Sequence, residues 1–163
     1  MIIGVVSDTH NNLKNIDTAI SIFNDMEVPL VVHTGDIANS KSLEKFSNLK
    51  SKLIGVFGNN DRNEVGLQDM ANLHQFKFQE PPYPLKIFGR KIVIFHEPDQ
   101  IDNFLNENQN IDLVLHGHTH RYRNEIENKT LIFNPGESSG MLKGKNAVGL
   151  IDLKNLEAKR VFF

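Results

Sequence analysis

Residues 113–120 read LVLHGHTH: a short apolar run, then three histidines within five positions. An apolar β-type run that ends in metal-ligand side chains is a strand delivering chemistry at its carboxyl end. The same arrangement recurs upstream. IIGVV (2–6) is followed by Ser7-Asp8-Thr9-His10, and PLVV (29–32) by His33-Thr34-Gly35-Asp36. LIGVF (53–57) is followed by Gly58-Asn59-Asn60-Asp61, and KIVIF (91–95) by His96.

The first three runs are continuous and β-branched, as strands covered on both faces should be. Leu13, Ile16, Ile20 and Phe23 fall at steps of three and four between the first two runs, one helical stripe with Asn11 or Asn12 as N-cap. A shorter helix is expected in SLEKFSN (42–48) and another around 63–74. Strand, helix, strand, helix, strand implies right-handed crossovers and a parallel sheet.

The second half reads differently. LKIFGRKIVIFH (85–96) suggests two strands folded over Gly89-Arg90, QIDNFLNEN (100–108) a helix, and LVL (113–115) a strand. TLIFN (130–134), AVGLIDL (147–153) and AKRVFF (158–163) read mostly as antiparallel ribbon. No repeat or linker interrupts the chain, and EPPYP (80–84) breaks elements rather than domains. The 163 residues are therefore expected to form one α/β domain, 1–163.

Composition narrows the chemistry. There is no cysteine, which removes disulfides, zinc-thiolate sites and thiol nucleophiles and leaves O and N donors for a metal. Eighteen Lys+Arg against twenty Asp+Glu argue against a broad nucleic-acid face. No apolar run approaches the ~20 residues needed to span a bilayer, and the start lacks a basic leader. A soluble, cytoplasmic protein is the expectation.

In an open α/β sheet, ligands bind outside the carboxyl ends of the strands. Each piece alone is weak: D-x-H is commonly a turn, and a lone histidine is commonly a packed one. GHTH is stronger, since i and i+2 of an extended segment point the same way, roughly 6–7 Å apart. Five runs in order make the shared site. Asp8, His10, Asp36, Asn59, His96, His118 and His120 are too many donors for one ion with an open position, but they suit two ions sharing a carboxylate. Donors of this kind favour Mn²⁺, Fe, Ni²⁺ or Zn²⁺. Two ions about 3.5–4 Å apart clamp a phosphoryl centre and activate water, and their net positive charge attracts phosphate.

These motifs resemble the calcineurin-like metallophosphoesterases, whose pattern runs D-x-H, G-D, G-N-H-[D/E], a lone His and G-H-x-H. Here they stand as Asp8-Thr9-His10, Gly35-Asp36, Gly58-Asn59-Asn60-Asp61, His96 and Gly117-His118-Thr119-His120. Asn134-Pro135-Gly136-Glu137 resembles the family's late NPGS turn. Chain length is similar to the small single-domain prokaryotic phosphodiesterase branch. The resemblance implies a four-layer α/β/β/α sandwich with parallel and mixed sheets. It implies one ion on Asp8, His10, Asp36 and His120 and another on Asp36, Asn59, His96 and His118, with Mn²⁺ the common choice. The expected activity is dinuclear metal-dependent phosphodiester hydrolysis by a metal-bridging hydroxide, with Asp36 as the shared carboxylate.

Three residues depart from the pattern. Asn60 replaces the family histidine that assists the leaving group; an amide hydrogen-bonds phosphate but delivers no acid proton, so good leaving groups should be favoured. Glu97 stands where glycine is usual, and Glu137 replaces serine. Asn60 and Arg62 are the candidate substrate contacts, although Arg62, Arg121 and Arg123 also read as solvated surface arginines. His33 reads as a packed strand histidine, His74 as a surface one, and His116 as a residue without a role of its own in the site, support behind the ligands being the lesser alternative. The expected partner is a small phosphodiester, with no membrane; a homo-oligomer is left open. The rival reading is a scaffold like the phosphoesterase-like subunit of the retromer complex, which binds proteins without significant catalysis.

Overall fold

The long apolar runs form the centre of two packed sheets. The computed structural model describes all 163 residues, Met1–Phe163. The first three runs become β1 (Ile2–Val6), β2 (Leu30–His33) and β3 (Lys52–Val56), parallel neighbours in a six-stranded sheet. Between them run α1 (Leu13–Asp25) and α2 (Ser40–Lys45), the latter continued by a 3₁₀ turn over Phe46–Asn48. Asn12 caps α1, its side chain accepting from the Asn15 N–H at 3.1 Å. α3 (Leu67–Leu73) then leads into β4 (Lys77–Gln79), parallel to β3.

The second sheet holds β5 (Tyr83–Ile87), β6 (Arg90–Ile94), β7 (Leu113–Leu115), β8 (Arg123–Glu127) and β9 (Thr130–Asn134), with α4 (Ile101–Glu107) crossing from β6 to β7. Its order is β5-β6-β7-β9-β8, with β6, β7 and β9 parallel and both edges antiparallel. The chain returns through β10 (Ala147–Asp152) and β11 (Glu157–Phe162) to extend the first sheet in the order β11-β10-β1-β2-β3-β4. Both sheets are mixed.

Three apolar layers hold this together. Phe23, Leu43, Phe46 and Leu67 pack α1–α3 on the outside of the first sheet. Ile3, Val5, Ile92, Leu113 and Phe133 fill the space between the sheets. Phe95, Ile101 and Val114 seat α4 on the outside of the second. The result is the expected α/β/β/α sandwich, with β1 and β2 covered on both faces. Each fully buried aliphatic or aromatic side chain contributes about 1.5–3 kcal/mol. No helix is long and apolar enough to cross a membrane.

Some boundaries differ from the sequence expectation. The hairpin turns at Phe88-Gly89, both at positive φ (51° and 80°), one residue earlier than expected. That is the backbone of a two-residue primed turn, which matches strand twist. The helix expected around 63–74 occupies only 67–73, because Gly66 at φ 87° stands at its N-cap. β4 and β8 were not anticipated.

Candidate functional site

Every carboxyl end of β1, β2, β3, β6 and β7 opens on one rim, and turns rather than strands place the side chains there. Asp8, His10, Asp36, His118 and His120 all have left-handed backbone, with φ of 50°, 38°, 60°, 66° and 56°. Such residues cost about 1–3 kcal/mol each and persist where their surroundings over-determine them. Here the Asp8 N–H donates to the Gly35 carbonyl, and those of Thr9 and His10 to the Asp36 carbonyl, each at 3.1 Å. Gly117 and Gly58 allow the closest approaches: a Cβ would overlap the Ser7 hydroxyl at the first and the Asp36 carboxylate at the second.

The extended geometry expected for His118 and His120 is not found. β7 stops at Leu115, and the two rings diverge to opposite sides of the rim. His120 Nε2 lies 3.4 Å from His10 Nε2 and 3.6 Å from Asp8 Oδ1. His118 Nδ1 lies 3.1 Å from Asn59 Oδ1. The remaining donors join these groups. Asp36 Oδ2 is 3.4 Å from His10 Nε2, and its Oδ1 is 3.3 Å from His96 Nε2. His96 Nε2 is also 2.9 Å from Asn59 Oδ1. The structure thus brings all seven residues together, in two groups that meet at Asp36.

These spacings suit divalent ions. Donors sharing an ion at about 2.1 Å lie roughly 3.0–3.4 Å from one another. Asp8, His10 and His120 form one compact donor set, and Asp8, Asp36 and His96 another. The His96 Nδ1–H donates to the Thr34 carbonyl at 2.8 Å, which turns the Nε2 lone pair toward Asp36 and Asn59. His10 and His120 point ring nitrogens at each other, an arrangement a shared cation relieves.

Burial pushes the Asp8 carboxyl up to about 7, against the lowering pull of the Ser7 hydroxyl, His96 and the His118 N–H. Burial also raises Asp36, but the hydrogen bond and charge of His96 and the two Asn60 N–H groups carry it well below the usual carboxylate range. Burial lowers His96, and Asp36 more than offsets this to leave it raised. His120 is lowered by burial and by neighbouring His10. A nearby divalent cation favours every unprotonated form here.

The candidate substrate contacts sit at the mouth. Asn60 donates its Nδ2–H to Asp36 Oδ2 at 2.7 Å and its backbone N–H to Oδ1 at 3.1 Å. Arg62 pairs with Glu97 at 2.8 Å. Arg121 is exposed, and Arg123 pairs with Glu125 and Glu127 on the surface of β8.

His33 is packed as expected, yet it also fastens two turns. Its Nδ1 accepts from the Gly35 N–H and its Nε2–H donates to Thr9 Oγ1, both at 3.1 Å, and burial lowers it to about 3. His116 is buried behind the rim, where its Nδ1–H donates to the Gly117 carbonyl, and burial lowers it to about 4. His74 is half-buried rather than superficial, stacked on Phe76.

Three supporting residues had no role in the sequence reading. Asn134 donates to the Gly117 carbonyl at 3.0 Å and so holds the histidine turn. Glu137 accepts from the Ser139 hydroxyl and from the N–H groups of Gly140 and Leu142 at 2.9 and 3.0 Å. That folds a loop whose Ser138 N–H donates to the Ser7 and Asp8 carbonyls at 3.1 and 3.3 Å. Asp61 accepts from Ile37, Ala38 and Gly58, and burial raises its carboxyl despite those three N–H donors. An acid right after a glycine turn was the available signal for Asp61; nothing local marked Glu137.

A family model for the calcineurin-like phosphoesterase superfamily domain matches residues 1–156. The chain is 32% identical to phosphodiesterase MJ0936 of Methanocaldococcus jannaschii, over 99% of this chain and 98% of that protein. It superposes on a solved archaeal phosphodiesterase with a TM-score of 0.90 and 31% identity, covering 100% of both chains. It also superposes on zinc-bound Vps29 of Entamoeba histolytica with a TM-score of 0.69. That likeness covers 99% of each chain at 16% identity and concerns the fold alone.

Proposed function

The chain belongs to the calcineurin-like phosphoesterase superfamily, and from that premise we propose that it hydrolyses phosphodiesters at a centre holding two divalent ions, Mn²⁺ foremost. That it is a metal-dependent phosphoesterase follows from the family and from its full-length phosphodiesterase relative. The two-ion reading is carried by one observation: the two oxygens of Asp36 face different histidines, His10 at 3.4 Å and His96 at 3.3 Å.

Asp8, His10, Asp36 and His120 would hold one ion, and Asp36, Asn59, His96 and His118 the other. Bound there, two ions supply Lewis acidity and water activation toward phosphorus. Asp36 keeps the two sets in register. Asn60 spends one amide N–H on Asp36 and has a second for a phosphoryl oxygen. Arg62, steadied by Glu97, offers its remaining N–H groups to the charge of the diester. Neither side chain is an acid at neutral pH, so the leaving oxygen must depart largely on its own stability. A small substrate and a cytoplasmic setting go with this reading. The scaffold alternative has its support in the likeness to Vps29, and fold alone does not assign function.

The test is metal analysis joined to an assay of bis(4-nitrophenyl) phosphate and 4-nitrophenyl phosphate. Two ions per chain are expected, with activity lost on chelation, restored by Mn²⁺ above Mg²⁺, and greater on the diester. Full activity after exhaustive chelation would sink the metal reading, and one ion per chain the two-ion reading.

A further inference from the structure

Asp61 lies at the rim without facing the space between the ligands. It is 3% exposed, and its side chain bonds only to backbone. Oδ2 accepts from the N–H of Ile37 at 3.2 Å and of Gly58 at 2.8 Å, while Oδ1 accepts from Ala38 at 2.7 Å. Its own N–H donates to the Gly58 carbonyl at 3.0 Å, which closes the turn that presents Asn59. One carboxylate therefore ties the turn after β2 to the turn after β3.

The turn after β2 needs such a tie. Asp36 and Ala38 both have left-handed backbone, at φ 60° and 82°. Nothing inherent in Ile37 or Ala38 favours that path, whereas a carboxylate that fixes their N–H groups does. The partner turn sits in direct contact, since a Cβ at Gly58 would overlap the Asp36 carboxylate. Small changes in the tie thus become changes in the separation of Asp36 Oδ1, His96 Nε2 and Asn59 Oδ1.

We propose that Asp61 is a positioning residue for metal binding: its buried carboxylate sets the spacing between Asp36 and Asn59, and with it the fit of the ion they share. This rests on the two-ion reading for which ion is affected. Residues that orient metal ligands from behind are typically worth about 10–100-fold in affinity. Asp61→Asn is the informative change, because an amide has one acceptor oxygen where the carboxylate has two. Its NH₂ then confronts at least one of the three backbone N–H donors.

The experiment is calorimetric titration of the chelator-stripped full chain with Mn²⁺, at a temperature where circular dichroism shows every variant folded. For Asp61→Asn one ion should bind about 10–100-fold more weakly than in wild type. A destabilised control separates positioning from general loosening: Val93→Ala removes bulk between β6 and α4, away from both turns. It should lower the melting temperature and leave Mn²⁺ affinity unchanged. If Asp61→Asn does not fold, Asp61→Glu, with the charge on a longer arm, carries the comparison, and weakened binding again supports the proposal. Unchanged affinity in the folded variant, or equal weakening in Val93→Ala, overturns it. Wild-type stoichiometry reports separately on the two-ion reading: a single site weakened by Asp61→Asn would leave Asp61's role standing and the second ion refuted.

Discussion

The two halves of the donor cluster hold their histidines by different means. His96 stands two residues beyond the end of β6, its side chain is 0% exposed, and a backbone carbonyl fixes its tautomer. His10 and His120 face one another across the other half, 17% and 20% exposed, each placed by left-handed backbone. His96 is held by packing and a hydrogen bond, whereas His10 and His120, like His118 beside His96, are held by the path of their turns. Preorganisation is therefore expected to be uneven, with the His96 ring more firmly fixed than those of His10 and His120.

The largest expected effect comes from the residue the halves share. Asp36→Asn should lower kcat/KM by about 10³-fold at saturating Mn²⁺, the scale of losing one preorganised electrostatic group. It should do so whichever half binds more tightly. Near-wild-type turnover would mean that Asp36 is not the carboxylate that joins the halves.

A smaller effect is expected at the mouth, where Asn60 leans on Asp36. Asn60→His should raise turnover of alkyl phosphodiesters by up to about 10²-fold, the lower end of general acid catalysis, and of aryl esters much less. A leaving-group series run on both proteins at equal metal loading measures this. A shallow dependence already present in wild type would point to another proton donor, with Glu97 the first residue to examine.

The smallest effect isolates the comparison itself. His96→Ala should weaken Mn²⁺ binding about tenfold more than His120→Ala, because a ring already locked by its second nitrogen loses less freedom on binding. Titration of the two variants side by side measures the ratio. Equal losses would erase the distinction between the halves.

How far these features could be read from the sequence follows the same division. Strands covered on both faces leave a continuous β-branched signal, so β1, β2 and β3 were legible to within a residue. β8 (RNEIE) is an edge strand with Ile126 71% exposed, and it has no buried face to impose an alternation. β4 is three residues long, too short for any period. The donor residues that the structure gathers at the rim were legible because side-chain type announces metal chemistry. Their local geometry was not: alternation along a strand suggested that His118 and His120 point the same way, whereas left-handed turns send them apart, as their separate places in the family resemblance require. Glu137 was opaque for a third reason, since its partners lie in a loop with no pattern until that loop folds.

The left-handed turns at Asp8, His10, Asp36, His118 and His120 also constrain how such a chain can change over evolutionary time. β-branched residues are disfavoured there whatever chemistry is demanded, while glycine, asparagine and aspartate are tolerated. A descendant that gave up hydrolysis would not be free to fill its rim with valine or isoleucine. It would drift toward a small set of polar or glycine replacements and keep the outline of the vanished centre. In such lineages backbone shape would outlast the reaction it once served, and the ancestry would stay readable in which substitutions never occur.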